Sequence, residues 1–244
     1  MNLRAIRTLF YIIFYIIFST PTRIRLRKLA RTDPHKSNEL AGEEIRNVMK
    51  KLLEIAGAQV EVDGLENLPE EACLYVGNHS GYFDIIVLGA SIPGTTGFVA
   101  KDSMAKIPGL SSWMRLIHCL FLDRSDIKKG LEVIMTGVGY LKDGYTMCIY
   151  PEGTRSKTGQ MGEFKGGALK MAQRAKAPVV PVAVTGSRDI FENNPGLQIK
   201  PARVQISFGQ PFVITDLPAA ERKFAADYTK DTIQNLLDKH QKKC

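Results

Sequence analysis

An α/β fold, with a mostly parallel central sheet flanked by helices and an N-terminal helical segment ahead of it, follows from three features of this sequence. From about residue 58 onward, short apolar runs of strand character alternate with longer runs of helical period. The first 31 residues differ in kind, being an apolar stretch bracketed by arginines. The chain has 244 residues, 44% hydrophobic and 24% charged, enough for one large domain with an appendage and too apolar for a disordered chain.

The N-terminal segment comes first. Residues 9–18 are apolar, with Arg4 and Arg7 before them and Arg23, Arg25, Arg27, Lys28 and Arg31 after. A spanning helix needs roughly 20 apolar residues, about twice this length. A cleaved signal would fit the length, but no A-x-A-like site follows and the downstream flank is strongly basic. The stretch reads as an anchor that enters one leaflet or lies in the interface, its arginines meeting the phosphates of an anionic phospholipid membrane. Residues 38–56 then place Ile45, Val48, Met49, Leu52 and Leu53 at helical spacing, with Gly57 as a stop. The linker around Pro34 is the candidate boundary. We divide the chain into a membrane-association segment, 1–57, and an α/β domain, 58–244.

The α/β pattern runs in order. "AQVEVDG" alternates like a strand, "CLYVGN" reads as a strand and "YFDIIVLGASI" as a helix. "GFVAKD" is a strand, and "MAKIPGLSSWMRLIH" is helical but broken at Pro108-Gly109. "CLFLDR" is a strand, "KKGLEVIMTGVGYLK" a helix and "YTMCIYPEG" a strand. "GALKMAQRAKA" is a helix, "VVPVAVTG" and "RVQISFG" are strands, and one charged amphipathic helix spans 219–243. In such sheets ligands sit beyond the carboxyl ends of the strands. His79, Asp123-Arg124 and the segment from Glu152 to Ser156 each follow a strand directly, so they are expected on one rim.

His79 stands where a strand runs out and a helix opens, and Asp84 falls in that helix's first turns. At a bent helix entrance the carboxylate can reach back to the ring, as a side chain in the first turn reaches back to a cap. Asp84 would then fix the tautomer of His79 and stabilise the imidazolium, leaving the other nitrogen as a base. A pair that merely caps the helix fits this stretch equally well. Ser80 is no nucleophile elbow, because the order Gly77-Asn78-His79-Ser80-Gly81 is not G-x-S-x-G. The remaining histidines, His35, His118 and His240, are scattered without ligand spacing, so no metal is expected. A base here would act on a substrate hydroxyl.

"YPEGTRSKTGQMGEFKGG" puts Glu152, Gly153, Thr154, Arg155 and Ser156 on a loop, with Lys165 downstream. The planar fork of Arg155 suits phosphate, and glycines let the backbone approach closely. The Walker pattern is absent, which gives no support to nucleotide hydrolysis. Lys101, Lys106 and Arg124 could ring an anionic headgroup, although each taken singly is an ordinary surface charge. Trp113 is expected to pack rather than react. Cys73, Cys119, Cys148 and Cys244 form no C-x-x-C pair and read as reduced thiols in a cytosolic setting, three of them in apolar strand-like runs.

In this order the segments resemble the 1-acyl-sn-glycerol-3-phosphate acyltransferases within the glycerolipid acyltransferase family. The shared elements are H-x-x-x-x-D in "NHSGYFD", the lysine-to-"FLDR" segment, "PEGTRS" and the proline-bearing strand "APVVPVAV". Members commonly carry His-Gln-Ser where this chain has His79-Ser80-Gly81, so a serine role at position 81 has no counterpart here. The resemblance implies that His79 deprotonates the sn-2 hydroxyl of lysophosphatidic acid, with Asp84 orienting it. The alkoxide then attacks an acyl-CoA or acyl-carrier-protein thioester directly, with no acyl-enzyme and no cofactor beyond that co-substrate, and forms phosphatidic acid. It also implies that Glu152, Gly153, Thr154, Arg155 and Ser156 hold the acceptor phosphate, with help from Lys101, Lys106 and Arg124. Backbone N–H groups near Ser80 are expected to hold the oxyanion. Location at the cytoplasmic face of the cell membrane follows from the basic anchor. Two other classes stay open at this stage. One is a hydrolase using the same His-Asp pair on water. The other is a non-catalytic binder of anionic membrane or nucleic acid, prompted by net charge +8, although no RNA-binding signature supports nucleic acid.

Overall fold

The computed structural model describes residues 1–123 and 126–243. Three helices lead: α1 (Leu3–Phe18), α2 (Thr20–Leu29) and α3 (Pro34–Ala56). The predicted apolar stretch, 9–18, lies within α1, and the basic flank after it forms α2, bent by 52° from α1 at Ser19 because Pro21 opens a new first turn and cannot continue the old one. The bend is held from within. Buried Arg23 donates from Nη1 to the Ile16 carbonyl at 2.5 Å, supplying a donor and a positive charge to the carbonyl end of α1. Trp113 donates its indole N–H to Ser19 Oγ at 3.0 Å and stacks on Tyr15, so it packs as expected. Asn2 caps α1 and exchanges two hydrogen bonds with the backbone of Ile199, tying the first helix to the body of the protein. At the region read as a linker, Asp33 caps α3 and Pro34 occupies its first turn. α3 ends at Gly57, whose φ of 76° suits glycine.

No single described helix is long and apolar enough to cross a membrane; the bent pair α1–α2 passes that test together, by length and composition only. One face of α1 packs inward through Ala5 and Thr8, and the other shows Leu3, Ile6, Phe10, Ile13, Phe14 and Ile17 to the outside. That spacing is one helical stripe.

The rest alternates as read: β1 (Gln59–Asp63), β2 (Leu74–Gly77), α4 (Phe83–Ser91), β3 (Thr96–Lys101), α5 (Leu110–Leu116), β4 (Leu120–Leu122), α6 (Ile127–Lys142) and β5 (Thr146–Ile149). Then come α7 (Lys170–Ala175), β6 (Val179–Thr185), α8 (Ser187–Ile190), β7 (Arg203–Phe208), α9 (Ala219–Lys223) and α10 (Ala225–Lys243). The seven strands lie in the order β1-β7-β6-β2-β5-β3-β4. β6, β2, β5, β3 and β4 are mutually parallel; β7 runs antiparallel to β6, and β1 parallels β7. The sheet is mostly parallel, with a reversed edge.

Side chains alternate across β2 and β5 and build two cores. Leu74, Val76, Met147 and Ile149 face Val138, Met171 and Ile233 of α6, α7 and α10. Tyr75, Cys148 and Tyr150 face the side of Leu53, Val87 and Leu88 of α3 and α4. Burial on both faces explains the unbroken apolar runs of β2 and β6. Boundaries moved where glycine or a capping turn intervenes. α7 is shorter than read because Gly166-Gly167 precede it, and the C-terminal helix is two, separated at Phe224. Cys73, Cys119 and Cys148 are buried free thiols, and burial pushes Cys119 up to about 12; Cys244 lies outside the described residues.

Candidate active site

The five parallel strands deliver their carboxyl ends to one rim. His79 lies two residues beyond β2, and Glu152 three beyond the adjacent β5. Asn78 fixes the exit of β2 by exchanging two 2.9 Å hydrogen bonds with the backbone of Val184 on β6.

Asp84, in the first turn of α4, has no solvent exposure. Its Oδ2 receives His79 Nδ1 at 2.9 Å, the Ser80 N–H at 2.6 Å and the Gly81 N–H at 2.8 Å. Its Oδ1 receives the hydroxyl of Ser187, at the start of α8. The Ser80 hydroxyl also donates to Oδ1, at 3.3 Å. A buried carboxylate is tolerable here because five donors meet it. α4, with Tyr82 at its N-cap, has no side-chain cap among the described residues; the carboxylate instead braces the turn that leads into the helix and grips the ring. The ring of His79 also stacks on Tyr150, with centroids 4.3 Å apart at 21°. Its side chain is 15% exposed, and Nε2 has no hydrogen-bond partner among the described residues. With Nδ1 donating to Asp84, Nε2 is the acceptor nitrogen.

The other N–H groups of the turn are occupied as well. His79 N donates to Glu152 Oε1 at 2.6 Å, and Tyr82 N to Glu192 Oε1 at 2.7 Å. Four successive amides, from His79 to Tyr82, thus end on three carboxylates. The expectation that amides near Ser80 hold an oxyanion is corrected by this, since the Ser80 and Gly81 N–H groups are taken by Asp84.

Glu152 also differs from its expected phosphate role. Oε2 receives the Gly162 N–H at 2.9 Å while Oε1 holds His79, so both oxygens brace backbone. Its carboxyl is raised above the ordinary range, chiefly by burial. Such a group positions the His79 turn and offers a phosphate no donor. Gly153 follows with φ 73°, the close approach of the loop to Lys165 leaving little room for a side chain. Thr154 is exposed. Arg155 lies over the Tyr82 ring at 3.6 Å and donates from Nη1 to Glu192 Oε1 at 3.1 Å. Ser156 donates its N–H to the His79 carbonyl at 2.8 Å, while its hydroxyl receives the Gly159 N–H.

Lys101, at the end of β3, and Lys106, after a single tight turn, are both exposed. Register carries Lys101 to the same rim, two strands from β2, or about 10 Å across the sheet. Arg124 lies outside the described residues. Four participants escaped the sequence reading: Ser187, Arg188, Glu192 and Tyr150. Arg188 bonds the carbonyls of Ser80, Ser156 and Lys157, clipping the loop to the His79 turn. Three of them follow β6, the parallel neighbour of β2, an adjacency that no local sequence pattern reports. Among the described residues, no three His, Cys, Asp or Glu side chains come together to hold a metal ion.

Residues 59–185 match the family model described as Acyltransferase. A probable 1-acyl-sn-glycerol-3-phosphate acyltransferase of Mycoplasma pneumoniae is 33% identical over 66% of this chain and 62% of its own length. The 1-acyl-sn-glycerol-3-phosphate acyltransferase of Saccharomyces cerevisiae is 34% identical over 62% of this chain and 50% of its own. That of Bacillus subtilis is 32% identical over 72% and 86%. The matched part thus spans under two thirds of the first two relatives and most of the third. The crystal structure of the 1-acyl-sn-glycerophosphate (LPA) acyltransferase PlsC from Thermotoga maritima superposes with a TM-score of 0.83, covering 98% of this chain and 95% of that one at 24% identity. This likeness gives the fold, including the N-terminal helices.

Proposed function

The chain belongs to the acyltransferase family, and from that premise we propose that it transfers a fatty acyl group from a thioester to the sn-2 hydroxyl of lysophosphatidic acid, forming phosphatidic acid. The carrying observation is the 2.9 Å bond from His79 Nδ1 to buried Asp84, which leaves Nε2 as an acceptor at the rim. Nε2 takes the hydroxyl proton as the alkoxide oxygen attacks the thioester carbonyl carbon. The tetrahedral intermediate collapses, the C–S bond breaks, and the imidazolium returns its proton to the departing thiolate. Asp84 keeps the ring in one tautomer and opposes the charge it gains. Arg155 supplies a planar fork for the acceptor phosphate, with Thr154, Lys101, Lys106 and Lys165 as further donors near the rim. Ser80 and Gly153 contribute through the shape of their turns.

The donor is an acyl-CoA or acyl-carrier-protein thioester, with no further cofactor. The N-terminal segment associates with anionic phospholipid at the cytoplasmic face: the outer stripe of α1 enters the interface, and Arg25, Arg27, Lys28 and Arg31 meet phosphates. No nucleic-acid role is proposed. The test is product analysis with purified protein, offering lysophosphatidic acid and glycerol-3-phosphate with each donor type. Phosphatidic acid should form with the wild type and not with His79→Ala. Thioester cleavage at full rate without any acceptor would instead favour a hydrolase, and wild-type turnover by His79→Ala would overturn the mechanism.

A further inference from the structure

Glu192 lies outside every motif, seven residues past β6, yet it meets the site twice. Its Oε1 receives both the Tyr82 N–H and Arg155 Nη1, at 2.7 and 3.1 Å. Its Oε2 is buried and has no hydrogen-bond partner among the described residues. That oxygen faces Gly81, where an added Cβ would come within 2.8 Å. The side chain is 13% exposed, against 35% for Arg155. Arg155 is therefore fixed along one edge by Glu192 and on one face by Tyr82. Nε and Nη2 have no hydrogen-bond partner among the described residues, which leaves donors of the fork open at the rim.

We propose that Glu192 is a positioning residue, holding Arg155 for a phosphate-bearing acceptor while its own charge weakens that grip. This rests on the acyl-transfer reading above. The carboxylate orients the guanidinium, but it is a like charge to phosphate, poorly hydrated and held by a single cation. The orienting effect acts through Arg155 and the repulsion acts on the phosphate across space, and two substitutions separate them. Glu192→Gln keeps a carbonyl oxygen for Tyr82 N and Arg155 Nη1 and deletes the charge. Glu192→Ala deletes both.

The experiment measures KM for lysophosphatidic acid, KM for the thioester and kcat in wild type, both Glu192 variants and Arg155→Ala. In Glu192→Gln the KM for lysophosphatidic acid should fall about threefold or more, since repulsion across several ångströms is lost. In Glu192→Ala it should exceed the glutamine value by about tenfold, the worth of one charge-assisted orienting bond. The thioester KM should stay within about twofold in both. A merely structural brace would lower kcat and stability in both variants without moving KM in opposite senses. Equal KM values in the two variants, or a rise in Glu192→Gln, would overturn the proposal. If the wild type fails to acylate lysophosphatidic acid, the functional reading falls and takes this one with it. If Arg155→Ala raises KM and neither Glu192 variant moves it, this inference alone falls.

Discussion

Asp84→Asn removes one negative charge from beneath His79 and keeps the acceptors that the turn requires. The three donors on Oδ2, from His79 Nδ1, Ser80 N and Gly81 N, can remain on the amide oxygen. The new NH2 group then meets the Ser187 and Ser80 hydroxyls, which can turn to accept. The Nδ1–H tautomer survives, and only the stabilisation of the imidazolium is lost. Unit charges about 4 Å apart interact by about 4 kcal/mol at an effective dielectric of 20. The backbone amides of Ser80 and Gly81 and the Ser187 hydroxyl already share the carboxylate's charge, so the loss at the transition state is about 2–3 kcal/mol. That corresponds to a fall in kcat of roughly 30- to 150-fold. The assay is steady-state acyl transfer to lysophosphatidic acid at saturating thioester, with circular dichroism to show that the fold is kept. His79→Ala sets the floor. If Asp84→Asn keeps more than about half the wild-type kcat while His79→Ala is dead, the charge of Asp84 does no work and the orienting argument fails. Asp84→Ala is the less informative change, because it strands several buried donors at about 1–3 kcal/mol each and threatens the fold itself.

Two further outcomes follow from other parts of the molecule. His118 is held below its ordinary value of 6.5, first by burial and then by nearby His35. A depressed folded value gives stability that is present above about pH 6.5 and lost as pH falls through the lowered value. His118→Asn, tolerable at φ 59°, should flatten that part of the dependence of the urea midpoint on pH; an unchanged slope would exclude His118 as its source. On α1, Phe10 is 71% and Phe14 58% exposed, both on the outer stripe. Replacing both by aspartate forfeits about 1.5–3 kcal/mol of burial each. Sedimentation with anionic phospholipid vesicles should show binding weakened roughly a hundredfold or more, and undiminished binding would remove this face from the membrane contact.

The sheet and its rim were legible because each parallel strand is a short apolar run ending in glycine, proline or a charged residue. Strand adjacency was not, because no local pattern reports that β6 and β5 flank β2. His79 and Asp84 were legible as a pair, since both lie within one turn of a single helix start. Ser187, Arg188 and Glu192 were not, because they reach Asp84, Ser156 and Arg155 only after the crossover places α8 beside α4. The geometry of Glu152 was hidden for the same reason. Its loop reads as phosphate-binding, and only the fold reveals that the carboxylate points back at the His79 and Gly162 amides. The break at Ser19 falls where the apolar run 9–18 ends and Pro21 opens the first turn of α2.

The donors of the His79 turn decide where a developing oxyanion would be stabilised. Helix entrances are ready anion sites because their first amides lack partners. Here the amides of the turn that leads into α4, those of His79, Ser80, Gly81 and Tyr82, already serve Glu152, Asp84 and Glu192. The turn before α4 is thus used to fix the base, and three buried or half-buried carboxylates surround it with negative potential. On the proposed reaction, that potential favours the imidazolium and opposes an oxyanion close to the turn. The charge of the tetrahedral intermediate must then be met from the outer side, by the imidazolium itself and by the cations of the rim, Lys101, Lys106 and Arg155 among them. One residue would serve as both base and counter-charge. The acceptor phosphate and the intermediate would share a single field of cations, so weakening a rim lysine should affect binding and turnover together rather than either alone.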